Sequence, residues 1–173
     1  MADVVVKICM LGDAAVGKTS LIRRYVLDEF SDRYLSTIGA KVMKKDVTVG
    51  HKGSDYKVSM MIWDLMGQQE FEFLQSTYYK GAQGGVLVAD ITRRETLDNI
   101  KKWHTGFSRV SPDIPLILVA NKSDLKDSYD FQEGDIAALA KDLRLPHLMT
   151  SAKTGENVEK CFYYLAKEIV KRS

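Results

Sequence analysis

One eight-residue run limits what this chain can fold into more than any other: Gly12-Asp13-Ala14-Ala15-Val16-Gly17-Lys18-Thr19. It follows a nearly continuous apolar stretch, Val4 to Leu11, of the kind expected of a strand buried on both faces. A helical pattern begins at about Gly17 and runs to Leu27. Strand, glycine-bearing turn and helix, in that order, make a full P-loop pattern. Glycine permits the backbone angles and close approach that turn the loop's N–H groups inward. The helix points the positive end of its dipole at the same place. Lys18 adds a charge able to bridge β- and γ-phosphates. The Thr19 hydroxyl suits magnesium, a hard cation that prefers oxygen. Residues Asp13, Ala14, Ala15, Val16, Gly17, Lys18, Thr19 and Ser20 are thus candidate nucleotide-binding residues, with the base still open.

The remaining pattern alternates strands and helices. Lys41 to Val49 and Tyr56 to Trp63 predict a β-hairpin, with Gly50 and Gly53 in its loop. Gly85 to Ala89 and Pro115 to Ala120 predict two buried strands, and Leu148–Met149 a short last one. Apolar stripes run along Leu97, Ile100, Trp103, Phe107 and Val110, along Ile136, Leu139, Ala140 and Leu143, and along Val158, Cys161, Phe162, Leu165 and Ile169. Asn157 is placed to cap the last helix. The expected fold is a single α/β domain, residues 1–173. Its six-stranded sheet is mostly parallel, with one antiparallel strand and helices on both faces. Ligands of such sheets bind at the carboxyl ends of the strands.

Composition narrows the function classes. The 173 residues suit one domain, and a net charge of +2 supplies no field for nucleic acid or membranes. Two cysteines, Cys9 and Cys161, fall inside apolar periodic segments and read as buried thiols of a reducing compartment. No apolar run approaches the roughly 20 residues that span a bilayer. The first residues lack a signal-peptide pattern, and the last, Ile169 to Ser173, hold no cysteine for prenylation. A cytoplasmic protein is expected, peripheral at membranes if a lipidated tail exists beyond Ser173.

The base is indicated by Asn121-Lys122-Ser123-Asp124, directly after a predicted strand. Guanine presents two adjacent donors, N1–H and the 2-amino group, which one carboxylate, Asp124, can accept together. Adenine would leave that carboxylate unpaired and desolvated. Lys122 can lay its stem along the base, and Asn121 can tie this loop to the others. A second loop, Thr150-Ser151-Ala152-Lys153, follows the last strand, where the Ala152 N–H could donate to the guanine 6-oxygen.

Together these elements resemble the Ras superfamily of small GTPases, from about Val6 to Ala166. The resemblance implies further roles. Thr37 matches the switch I threonine that ligates magnesium and meets the γ-phosphate. Phe30 matches the aromatic beside guanine, and Tyr34 the tyrosine over the phosphates. Asp64-Leu65-Met66-Gly67-Gln68 resembles the Asp-x-x-Gly-Gln of switch II. There Asp64 would hold magnesium through water, the Gly67 N–H would sense the γ-phosphate, and Gln68 would orient the attacking water. Ile62-Trp63-Asp64, Ser76 to Ala82, and Asp90-Ile91-Thr92 with Leu97 to Trp103 resemble the Rab branch. Trp63, Tyr78 and Trp103 are read either as sheet packing or as a partner surface. Departures from the Rab pattern are Ala40-Lys41-Val42, Leu65-Met66, Gln69, and a hairpin loop, His51 to Asp55, that looks longer than usual, while Ala14 stands where Ras proteins have a sensitive glycine and Rab proteins vary.

The implied function is a GTP/GDP switch, Rab-like and linked to membrane trafficking or signalling, that hydrolyses GTP slowly. Lys18 and Gln68 are its catalytic residues, and magnesium is its cofactor on Thr19, Thr37 and Asp64. Exchange factor, activating protein and effector are the expected partners of a monomer, with no nucleic acid. Two other readings stand beside it. One is a scaffold that holds nucleotide without switching, with Leu65 and Met66 locking switch II. The other is a small-molecule kinase, which predicts no guanine loop.

Overall fold

A computed structural model describes residues 1–33, 40–65 and 72–173, with backbone only for 72–75. Ten residues, Ala2–Leu11, form β1, and Lys18–Leu27 form α1. The hairpin follows as β2, Ala40–His51, and β3, Ser54–Leu65. Then come α2 (Glu72–Tyr79), β4 (Gly84–Asp90), α3 (Arg94–Asp98) and α4 (Ile100–Val110). The chain ends with β5 (Leu116–Asn121), α5 (Glu133–Leu143), β6 (His147–Met149) and α6 (Val158–Lys171).

The sheet order is β2-β3-β1-β4-β5-β6. β1 runs parallel to both β3 and β4, β4 to β5, and β5 to β6, while β2 is antiparallel to β3. The expected α/β sheet with one antiparallel strand is the one observed.

Strand alternation explains the two cores. On β1, Val6, Ile8 and Met10 face α1 and α6, whereas Cys9 and Leu11 face the layer of α2 to α5. β4 divides likewise, Val86 and Val88 against Leu87 and Ala89. Both faces of the central strands are covered, which is why they read as unbroken apolar runs. The α1–α6 layer is pinned by the stacked rings of Tyr25 and Phe162, 4.3 Å apart at 12°.

Three sequence expectations change here. The hairpin loop is not long. His51 pairs with Ser54 and Gly50 with Asp55, so Gly50 lies in the ladder and the turn is Lys52–Gly53. Both turn residues have positive φ, 50° and 76°, as a tight two-residue hairpin turn requires. The single stripe Leu97–Val110 is split at Asn99 into α3 and α4. Asn157 occupies the N-terminal cap position of α6 but makes no side-chain cap there. Its amide donates to the Met149 carbonyl at 2.7 Å, tying α6 to β6 instead.

Candidate functional site

The loops after β1, β4, β5 and β6 gather, with the end of β3, at one end of the sheet. The first is held tightly against its neighbours. Gly12 (φ 147°) lies so close to β4 that a Cβ would overlap the Val88 carbonyl, and a Cβ on Gly17 (φ 103°) would overlap the Asn121 amide. Ala15 also takes a left-handed φ, 63°, a strained choice for a residue with a Cβ. Such turns bring backbone N–H groups to one side of a loop and send carbonyls to the other.

Those carbonyls are met by cations. Lys18 is 6% exposed, and its ammonium donates to the Gly12 and Asp13 carbonyls at 2.7 and 2.9 Å. Burial pushes its pKa down to about 8, opposed by the carboxylates of Asp64 and Asp13. Arg93 donates to the Ala14 carbonyl at 2.8 Å, and Lys122 to the Ala15 carbonyl at 3.0 Å. Both cations share one counter-ion. Asp90, 1% exposed, lies 2.8 Å from Lys122 and 3.2 Å from Arg93. Burial alone would raise its carboxyl, but hydrogen bonds from Lys122 and Thr92 prevail and hold it below the usual carboxylate range.

The Asp13 side chain turns to the layer of α3 and α4. It accepts from Asn99 Nδ2 and Trp103 Nε1, both at 2.8 Å, and so fastens the loop to the α3–α4 junction. Trp103 is therefore buried packing with one polar anchor, which removes it from the partner-surface reading. Trp63 and Tyr78 are half-buried neighbours, ring centroids 6.0 Å apart, with the Lys7 ammonium 4.1 Å over Trp63.

At the end of β3, Asp64 is 3% exposed and accepts a hydrogen bond from the Thr19 hydroxyl. A hydroxyl and a carboxylate, meeting beside the buried Lys18, form a hard-oxygen donor set. That set fits magnesium, which typically takes one or two carboxylates and completes its shell with phosphate and water. Leu65, next in β3, is buried against Cys9 and Leu11.

The loops after β5 and β6 interlock. Asn121 donates to the Val16 carbonyl at 3.0 Å and accepts from Thr150 Oγ1 and the Ala152 N–H at 3.2 and 3.3 Å. It thereby joins three loops through one buried amide. Ser151 donates to Asp124 at 2.7 Å. Lys122 has a φ of 70°, which turns its side chain back to the first loop. Lys153 is exposed, Ser20 is half-buried in α1, and Phe30 packs half-buried against the α1–α6 core. Tyr34, Thr37, Gly67 and Gln68 lie outside the described residues.

Sequence reasoning did not single out Arg93 or Asn99 for this site, nor Asp90 as the shared counter-ion. Their partners are backbone carbonyls or residues far along the chain, and no local spacing signals such contacts.

Comparison with known proteins agrees with this architecture. The family model described as Ras family matches residues 7–171. The chain is 38% identical over 169 residues to Ras-related protein SEC4 of Saccharomyces cerevisiae, covering 96% of this chain and 76% of that protein. It is 42% identical over 163 residues to Ras-related protein RABA6b of Arabidopsis thaliana, covering 92% and 69%. Identity to Ras-related protein Rab-1D of Dictyostelium discoideum is 34% over 171 residues, covering 98% and 82%.

Proposed function

The chain belongs to the Ras family, a small GTPase near the Rab branch, and on that premise we propose that residues 1–173 form one guanine-nucleotide switch domain that hydrolyses GTP to GDP. One observation carries the reading: Lys18 with Thr19 and Asp64, and Asn121 with Asp124 and Ser151, stand at the same end of the sheet, joined through Asn121 and Val16. The first group suits phosphates and a hard cation, and the second suits guanine.

In this mechanism the inward N–H groups of residues 13–20 and the Lys18 ammonium bind the phosphates. Lys18 leaves its two carbonyl partners to do so. Thr19 and Asp64, together with Thr37, would hold magnesium, which when bound would supply charge neutralisation at the phosphates. Asp124 reads the base together with the Ala152 N–H, which turns from its long contact to Asn121 to do so, with Lys122, Ser151 and Lys153 supporting it and Phe30 and Tyr34 flanking the nucleotide. Gln68 orients the water that attacks the γ-phosphate. Arg93 is committed to Ala14 and Asp90, so a partner protein supplies the further charge that raises the slow intrinsic rate. Loss of the γ-phosphate releases Thr37 and Gly67, and effectors read that change. The domain acts as a monomer on peripheral membrane surfaces in trafficking. No helix among the described residues is long and apolar enough to cross a membrane.

Nucleotide extracted from the purified protein should be GDP or GTP, and an adenine nucleotide in its place would overturn the reading. GTP should be consumed over hours in magnesium, more slowly in Gln68→Leu. Asp124→Asn should trade guanine for xanthine nucleotides. Buried Leu65 favours a second reading, a domain that holds nucleotide with switch II locked. Equal protease sensitivity of the GDP and GTP-analogue forms would support that reading over the switch.

A further inference from the structure

Arg24 lies on α1, six residues beyond Lys18, and reaches the loop after β6. Its Nε donates to the Ala152 carbonyl at 2.7 Å and its Nη2 to the Lys153 carbonyl at 2.6 Å. Its third partner is Asp28 at 2.7 Å, but that carboxylate is 88% exposed while the Arg24 side chain is only 20% exposed. An ion pair to so exposed a group contributes little. The two carbonyls are what hold the guanidinium in place.

We propose that Arg24 is a positioning residue for base recognition, acting on Asp124 through the loop it grips; the inference rests on the guanine-nucleotide reading above. Across a trans peptide, C=O and the following N–H point to opposite sides. Drawing the carbonyls of Ala152 and Lys153 toward α1 therefore turns the N–H groups of Lys153 and Thr154 away from it. On that far side the Thr154 N–H donates to Ser151 Oγ at 3.1 Å, and Ser151 Oγ donates to Asp124 Oδ1 at 2.7 Å. A continuous chain thus leads from the guanidinium through Lys153, Thr154 and Ser151 to the carboxylate assigned to the base. The same loop is also held by Asn121, which accepts from the Ala152 N–H. Because α1 starts at Lys18 and Thr19, Arg24 also makes the helix under the phosphates and the loop over the base one rigid unit. Two charge-assisted bonds to adjacent carbonyls impose a geometry that one point charge could not.

Arg24→Met keeps the aliphatic stem and removes every donor. Release of a fluorescent GDP analogue should quicken about tenfold. The preference for GDP over inosine diphosphate, which lacks the 2-amino group that Asp124 accepts, should fall about threefold or more. Arg24→Lys, with one carbonyl in reach, should lie between, and Asp28→Asn should match the parent. Faster release with an unchanged preference would be a general loosening and would overturn the proposal, as would parent-like values of both. Should Arg24→Met not fold, Arg24→Lys decides by the same preference. Asp124→Asn separates the two levels: if it keeps the full preference for guanine, the reading of the site itself fails. If it loses that preference while Arg24→Met does not, only the role of Arg24 fails.

Discussion

Asp90 shows how a single side chain can govern two loops. It is buried, and it neutralises both Lys122 and Arg93, which hold consecutive carbonyls of the loop after β1. Replacing it by Asn should destabilise the protein by about 2–3 kcal/mol in urea unfolding, less than the roughly 3–5 of a fully buried broken pair. The discount follows because both cations are about a third exposed. Trp103→Phe keeps the ring in the core but removes the donor to Asp13. It should cost about 1–2 kcal/mol by the same measurement and leave the fold intact. At this scale the sequence offered candidates wherever residue types fall in a motif, as at Lys18, Thr19, Asn121 and Asp124. It was silent at Arg24, Arg93 and Asn99. A carbonyl acceptor looks the same at every residue, so nothing local distinguishes an arginine that will find one 79 or 128 positions away.

Elements were legible in kind more than in extent. Period-2 alternation with apolar runs identified the strands, and 3.6-residue stripes identified α4, α5 and α6. The break between α3 and α4 was not legible, because Asn99 is helical in φ and ψ and is set apart by its bond to Asp13. α2 was met only as a stretch resembling the Rab branch. The hairpin turn was misjudged in length, since whether polar residues 50–55 pair or loop depends on the partner strand. Two predictions belong here. Phe162→Ala removes the ring stacked on Tyr25 and should destabilise by about 3–5 kcal/mol in thermal or urea unfolding. Gly53→Ala, at φ 76°, should cost about 1–2 kcal/mol through strain alone, there being open space where its methyl would go.

At the scale of the molecule, the two cores carry a pH dependence. Burial pushes the thiols of Cys9 and Cys161 up from 9.0 to about 12, and the Tyr25 hydroxyl from 10.0 to about 12. Each folded value lies above the unfolded one, so the stability they contribute is complete below pH 9 and falls as pH rises from 9 toward 12. Lys18, lowered from 10.5 to about 8, acts in the opposite sense between those values in the nucleotide-free protein. Comparing the parent with Cys161→Ala leaves Lys18 untouched. The unfolding free energy should drop less steeply above pH 9 in the variant. The alternation of strands and helices, and the motifs in the loops after β1, β5 and β6, could be read from the chain, because periodicity and motif spacing are local properties. The docking of those loops onto one another could not. Asn121 joining three of them, Asp90 shared by two cations and Asp13 turned to Trp103 arise only when the parallel sheet sets its strand ends side by side, and burial then makes each polar group find a partner.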